Sequence, residues 1–525
     1  MIRGSKTATV DLHAVAKIFN LVLPTVTVLM VLAGIFISFY FHFLSAPLLL
    51  VTAFNFLYLY GQKDHTLLAN FGLIGQARYF LESIGPEMRQ YLFANDTEER
   101  PFNRNERAEV YRKSKAIDSA ASFGSQREYD ASEIKLRHSM FPIPQNERQP
   151  FSLTFGAQRG IANSYTIHHP TLISAMSYGA LSAPAVRALA RGAKRSGIAM
   201  NTGEGGFPKY HLMEGCDLIF QLGTAKFGAR DEKGFLDEEK FRAIVEQPEV
   251  KMVEVKFSQG AKPGKGGLLP KEKISEEIAE LRGVSREFDV VSPPRHLECT
   301  DAQSTVTFFR RVQEIADKPT GFKICLGNPE EFRALMQEFK KQGVTPDFIT
   351  VDGAEGGTGA APTAFIDGVG VPIYVGLYHV NRILCEEGLR ESIHLIAGGK
   401  LITPLRQIIA LCIGADACYT ARGFMLAMGC IQALQCGNNT CPVGITTHDP
   451  SLNRGLDIEV KSQRVANYVH GLLHDFDELL AAAGVRSEEE LNINHLYIPS
   501  GHALHHILDH IQHEGHHFPR QPIVH

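Results

Sequence analysis

Three of the nine cysteines in this 525-residue chain stand within a dozen positions, as Cys430, Cys436 and Cys441, followed by Pro442 and Gly444. Thiolates spaced this closely can wrap one compact inorganic centre, and iron–sulfur clusters are the usual occupants of short cysteine loops. Three ligands point to a 3Fe-4S cluster, or to a site completed from elsewhere. A zinc loop and a chance cluster of core cysteines are the competing readings. Zinc usually takes four ligands in paired short spacings, and no such pair lies nearby. Cys216, Cys299, Cys325, Cys385, Cys412 and Cys418 read as small buried hydrophobes.

A second set of chemistry-bearing residues follows short apolar runs. Ser177 and Gly179 come after the first; Asn201, Thr202 and Glu204 after the next. Further along come Lys256 with Gln259, Ser292 to His296, Lys323, Asp352 with Gly353, Gly398 with Gly399 and Lys400, and Arg422. Glycine, lysine and carboxylate at such places suit an anionic cofactor and a small acid. Gly398-Gly399-Lys400 and Arg422-Gly423 would cup a phosphate through backbone N–H groups, and FMN is the phosphate-bearing ligand of a redox barrel. Lys323 would stand beside the flavin N1–O2 edge. The loop containing Gly356 and Gly357 would let backbone approach the flavin closely. Lys256, Gln259 and Lys262, in a loop dense in lysine and glycine, would hold substrate carboxylates. Glu204 is the candidate for proton handling, with a turn-stabilising role as its alternative.

The elements that must position these groups are eight apolar runs alternating with helical patterns. They are Leu172–Met176, Gly197–Met200, Met252–Lys256, Phe288–Val291, Gly321–Ile324, Phe348–Val351, Ile393–Ala397 and Ala417–Tyr419. Buried strands alternating with helices mean a parallel sheet, and eight of them predict an α/β fold, a closed (β/α)8 TIM barrel. An open doubly wound sheet would want a glycine fingerprint after its first strand, which Ser177-Tyr178-Gly179 does not supply. From Leu21 to Phe43 no residue is charged, a length that spans a bilayer core. A second apolar run, after a turn at Leu44–Pro47, reaches Tyr60. Arg3, Lys6 and Lys17 before the first, and Lys63 and Arg78 after the second, predict a transmembrane hairpin with both ends cytoplasmic. The expected divisions are an anchor over 1–61, a helical linker or lid over 62–149, the barrel over 150–450, and a His-rich helical extension over 451–525. A net charge of −4 without a basic cluster argues against nucleic acid. His502, His505, His506, His510, His513, His516 and His517 read as a solvated terminal helix rather than a metal site.

In combination, several motifs resemble the FMN domain of glutamate synthases. They are Met-Ser-Tyr-Gly-Ala-Leu-Ser at 176–182, Asn-Thr-Gly-Glu-Gly-Gly at 201–206, Gln-Gly-Ala-Lys-Pro-Gly at 259–264, Gly-Gly-Thr-Gly-Ala at 356–360, and the cysteine loop ending in Cys-Pro-Val-Gly. By architecture the chain is similar to the short, membrane-anchored members. The resemblance implies a barrel holding FMN beside a 3Fe-4S cluster on Cys430, Cys436 and Cys441. It also implies reduction of 2-iminoglutarate to L-glutamate with electrons from a separate ferredoxin-like or flavoprotein donor. The family's glutaminase domain, with its N-terminal cysteine nucleophile, is not expected here, since position 2 is Ile. Oxidation of an N-substituted amino acid such as N-methylglutamate, a non-catalytic membrane subunit that passes electrons or scaffolds a complex, and a dehydrogenase barrel with a cysteine nucleophile are the alternatives. The expected location is the inner membrane, with the catalytic domain facing the cytoplasm.

Overall fold

The computed structural model describes residues 12–117, 120, 122–125 and 133–505. The chain divides into two compact units, Met1–Arg104 and Asn105–His525.

The larger unit is built on a closed parallel barrel. Its strands are β1 (Thr171–Ile173), β2 (Met200–Asn201), β3 (Leu218–Leu222), β4 (Val250–Lys256), β5 (Thr320–Ile324), β6 (Phe348–Asp352), β7 (His394–Gly398) and β8 (Ala417–Thr420). Each pairs in parallel with the next, and β8 returns to β1 through Cys418–Thr171 and Tyr419–Leu172. Most strand residues are buried because helices cover the outside and side chains fill the inside. Leu172, Ile219, Met252, Phe348 and Ile396 lie in one core cluster. A hairpin of Leu153–Phe155 against Tyr165–Ile167 supplies Phe155 and Ile167 to that cluster. Phe155 stands edge-on to Phe348 at 5.7 Å, at the start of β6, so the hairpin plugs the N-terminal end. The opposite end is left for chemistry.

Local signals explain the helices around it. Ser182 caps Ala183–Ser196 by accepting from Ala185 N, and Gly197 ends that helix at φ 68°. The long helix Ile458–Ala482 packs against it at Gly192, where a Cβ would stand 2.4 Å from Val465 Cγ1. Glycine is needed there for contact, not for a turn.

Two strand expectations need correction. Leu218–Leu222 is the third barrel strand and was not expected; Phe288–Val291 is not in the barrel. Val290–Val291 instead forms a two-stranded antiparallel ribbon with Leu268–Leu269. Apolar runs of this length do not reveal whether a strand joins the barrel or a loop. The misassigned ribbon sat between true strands, so the count of eight survived the exchange.

The smaller unit begins with two antiparallel apolar helices, Leu12–Phe36 and His42–Phe56, the second continuing in π-helical form to Gly61. Their apolar side chains face outward, and each has a 23-residue stretch long and apolar enough to cross a membrane, Ala14–Phe36 and Phe39–Gly61. Polar contacts join their inner faces: Thr27 and Thr52 hydroxyls at 2.8 Å, and Asn55 Nδ2 donating to Asn20 Oδ1 at 3.0 Å. The turn falls at Ile37–Ser38, not at the expected Leu44–Pro47; Pro47 lies inside the second helix. Arg3 and Lys6 lie outside the described residues, as do His506, His510, His513, His516 and His517.

Candidate active site

Side chains two apart on a strand share a face, and β4 thereby turns Glu254 and Lys256 together into the barrel. Glu254 is fully buried yet fully engaged, accepting from Asn201 Nδ2 at 2.9 Å, Gln221 Nε2 at 2.7 Å and Thr350 Oγ1 at 2.6 Å. Asn201 Nδ2 also reaches the Tyr419 hydroxyl, while its Oδ1 accepts from Gly203 N and so shapes the loop after β2. Thr202 supports that loop from the side, accepting from Gln221 N at 3.1 Å. Register places Lys323 of β5 directly beside Lys256. The Lys323 ammonium lies 3.3 Å from Asp352 Oδ2 at the end of β6. Burial opposes its charge, but Asp352 and Glu254 outweigh burial and hold its pKa above the usual range. Asp352 also accepts from Gly260 N at 2.9 Å, which ties the β4 loop to β6.

Glu204 forms the second pair. Its Oε1 accepts from Lys256 Nζ at 2.6 Å, while Oε2 is buried without a partner. Burial works against the carboxylate, yet Lys256, with Arg282 and Lys262 further out, keeps its pKa below the ordinary value. Gly223 and Gly267 form the slot around it; a Cβ on either would stand 2.2 Å or 2.7 Å from a Glu204 oxygen. Lys262 donates to Ala360 O at 2.7 Å, and burial followed by repulsion from Lys256 brings its pKa down to about 8. Arg282 is buried, donates to Tyr178 O at 2.9 Å and more weakly to Ser177 Oγ, and keeps an unpartnered buried Nε. A Cβ on Gly179 would stand 2.6 Å from its guanidinium. Gln259 is half-buried in the loop after β4.

The ends of β6, β7 and β8 make a cationic corner. Gly353 N donates to Gly398 O at 2.7 Å, and Arg422 Nη2 donates to Glu355 O at 2.5 Å. A Cβ on Gly357 would stand 2.9 Å from Arg422 Nε, so glycine there admits the guanidinium. Gly356 sits in the turn closed by its N–H to Gly353 O, and Gly399 adopts φ 141°. Burial and then the neighbouring Arg422 and Arg406 charges lower the Lys400 pKa. A phosphate dianion at this corner would relieve that repulsion, so the residues fit the phosphate of FMN.

At the cysteine loop, burial raises all three thiols, and each of Cys436 and Cys441 raises Cys430, whose pKa reaches about 11. For Cys441 the Thr446 hydroxyl and backbone N–H groups outweigh burial and bring it below the ordinary value. The Lys273 ammonium is buried beside them, donating to Ala180 O at 2.7 Å and Cys436 O at 3.2 Å. Gln432, Leu434 and Asn439 occupy left-handed backbone at φ 58°, 57° and 63°. Three such residues in one short loop are costly unless something over-determines the conformation. Among the described residues, the one metal-competent set gathered within 4.8 Å is His474, Asp475 and Glu478. Three cysteine thiols on one loop, with a buried ammonium donating beside Cys436 and the Cys441 pKa lowered by its hydrogen bonds, form a soft donor set of the type that iron–sulfur clusters take. The His474 group is an exposed patch on one helix, with Asp475 paired to Lys113.

Every expected strand-end residue except Ser292 to His296 thus follows a true barrel strand. That turn still returns to the mouth, where His296 contacts Lys256 O at 3.0 Å and Ser292 N donates to Gly267 O. Glu254, Gln221 and Arg282 were missed. A glutamate inside an apolar strand, two places before Lys256, was a usable signal for the first. Arg282 has none, since it arrives from the end of a surface helix.

A closed barrel whose C-terminal mouth pairs ammonium groups with buried carboxylates is an enzyme's architecture. Residues 104–486 match the conserved region in glutamate synthase, and the chain belongs to that family. Membership makes it an oxidoreductase acting on CH–NH2 donors. It is 37% identical over 500 residues to the glutamate synthase large subunit-like protein YerD of Bacillus subtilis, covering 88% of this chain and 94% of that one. It is 36% identical over 342 residues to the archaeal glutamate synthase [NADPH] of Methanocaldococcus jannaschii, covering 64% and 62% respectively. A solved flavocytochrome b2 variant with sulfite bound aligns at 14% identity and a TM-score of 0.45, over 80% of this chain and 90% of that one. That likeness adds nothing beyond the barrel itself.

Proposed function

We propose that the chain is a membrane-anchored, FMN- and 3Fe-4S-dependent enzyme of the glutamate synthase type that reduces 2-iminoglutarate, formed from 2-oxoglutarate and ammonia, to L-glutamate. The observation that carries this is the cation surplus around Glu204. Lys256, Lys262 and Arg282 surround one carboxylate, leaving two positive charges (three minus one) for a small dicarboxylate. Lys256, Lys262 and Gln259 orient its carboxylates, and Glu204, ionised beside Lys256, is the group through which a proton reaches or leaves the nitrogen. FMN, when bound, supplies the hydride, with 3Fe-4S as the relay from a separate ferredoxin-like or flavoprotein donor. Ser177, Gly179, Asn201, Thr202 and Lys323 would flank the isoalloxazine ring. Asp352, Gly353, Gly356, Gly357, Gly398, Gly399 and Arg422 would carry its ribityl phosphate. Cys430, Cys436 and Cys441 would ligate the cluster. The hairpin within residues 1–61 would hold residues 150–450 at the cytoplasmic face, with 62–149 as the linker.

Because the same cations would hold N-methylglutamate, its oxidation is the second reading. Anaerobically purified protein is first examined by visible and EPR spectroscopy. Flavin bands with a three-iron signal are expected; a colourless protein carrying zinc refutes the cofactor pair. Glutamate formation from 2-oxoglutarate and ammonium with an artificial reductant is then expected. Flavin bleaching by N-methylglutamate, without glutamate synthesis, would replace the first reading with the second.

A further inference from the structure

We infer that the second helix after the hairpin, Gln76–Met88 with its π-helical extension Arg89–Phe93, which follows the short helix Thr66–Phe71 and the 3-10 turn Gly72–Gly75, is a lipid-facing strap lying in the membrane–water interface. The inference rests on the membrane reading of the hairpin and goes beyond it.

Phe80, Leu81, Ile84, Met88, Tyr91 and Leu92 recur at helical spacing. At about 100° per residue Phe80, Leu81, Ile84 and Met88 fall within an arc of about 100°, and Tyr91 and Leu92 extend the apolar run through the π-helical turn. A surface helix normally covers such a stripe with its own core. Here Phe80 is 63%, Leu81 61%, Tyr91 52% and Leu92 66% exposed. The helix's other side is occupied, because Tyr79 stands edge-on to His65 at 5.7 Å, in the turn directly after the second apolar helix. That turn is fixed in turn: Gln62 Nε2 donates to Tyr58 O and Gln62 Oε1 accepts from His65 N. Asn55, inside the hairpin, accepts from Leu73 N at 2.7 Å just before the strap begins. The first turn of the strap is therefore docked through Tyr79 to the turn after the second apolar helix, and the stripe faces away from Tyr79.

Among possible occupants, a bilayer surface suits this placement, because the outward faces of the adjoining hairpin helices are themselves apolar. Charge makes a small contribution. Arg78 at the edge of the stripe is bonded to Glu82 at 2.8 Å, so the edge is close to neutral. Binding is then carried by apolar side chains and does not require anionic lipid.

The chain contains no tryptophan, so single substitutions in the full-length protein report one position each. Leu29→Trp in the first span, Phe80→Trp and Leu92→Trp on the stripe, and Ser83→Trp away from it are reconstituted in phosphatidylcholine vesicles carrying brominated lipids. The expected pattern is quenching of L29W by deep bromines, of F80W and L92W by shallow bromines, and of S83W by neither. Quenched L29W with unquenched, red-emitting F80W and L92W means that the hairpin inserts and the strap stays in water, which overturns the inference alone. Blue-shifted but unquenched F80W and L92W mean that protein covers the stripe, a second copy or another partner, and overturn it too. Unquenched L29W removes the membrane reading together with the strap.

Discussion

The barrel mouth and the cysteine loop achieve proximity by opposite means. Glu204 and Lys256, or Lys323 and Asp352, meet because parallel strands bring their ends to one rim. Cys430, Cys436 and Cys441 are close in sequence already, and the chain between them bends through left-handed residues to present them. The mouth is stiff by construction: the Glu204–Lys256 and Lys323–Asp352 pairs are set by buried parallel strands. The loop holds its form through a few contacts, one nearby, Thr447 donating to Asn439 O at 2.5 Å, and one from far along the chain, Tyr111 donating to Cys430 O at 2.5 Å. Electrostatic preorganisation is thus a property of the fold, whereas the closeness of the three thiols begins as a property of twelve consecutive residues.

The contrast can be broken from either side. The largest effect is expected at the loop. Cys436→Ala should abolish donor-linked glutamate formation and the three-iron EPR signal while leaving flavin content intact. Loss of flavin as well would mean that the two regions fold as one.

At the mouth, Lys256→Met strands the Glu204 carboxylate. Breaking a buried pair costs about 3–5 kcal/mol, read as a lowered denaturation midpoint, with the cysteine loop's EPR signal unchanged. The folded pKa of Glu204 lies below its unfolded one, so the pair's contribution is present above the unfolded value. It is lost as pH falls through the folded value; in K256M that acid-side loss should vanish from the stability profile.

A smaller change tests the tie between strands. A Cβ on Gly260 would stand 1.7 Å from the Gly353 carbonyl oxygen, so Gly260→Ala should cost about 1–3 kcal/mol and loosen FMN. Unchanged FMN affinity would separate this contact from the cofactor site.

The smallest effect is a titration. Lys262 loses its proton as pH rises through about 8, so KM for the acid should rise about fivefold over the next pH unit. Lys262→Arg should flatten that rise, because guanidinium stays charged. A rise that persists in K262R would assign the titration to another group.

The barrel was legible because eight buried strands leave eight apolar runs, and strand-end residues announce themselves by polarity. Leu218–Leu222 escaped notice because its flanks carry no glycine-rich signal of the kind seen after β2 or β7, and Val290–Val291 imitated a barrel strand by composition. The clustering of the three cysteines is plain along the chain itself. Glu254 was visible in principle, as a charge inside an apolar run, whereas Arg282 reaches Glu204 only through packing of a helix end against the rim.

By itself the sequence determined what is local: the spacing of the three thiols, the caps at Ser182 and Gly197, the apolar character of the hairpin, and the alternation that demands a parallel sheet. These depend on neighbours within a few residues, so physical chemistry along the chain suffices. Tertiary structure alone decided which strands close the barrel, where the hairpin turns, and that three cations share Glu204. Those outcomes come from register and burial between segments distant in sequence, where energies depend on which surfaces meet and how far water is excluded from the charges between them.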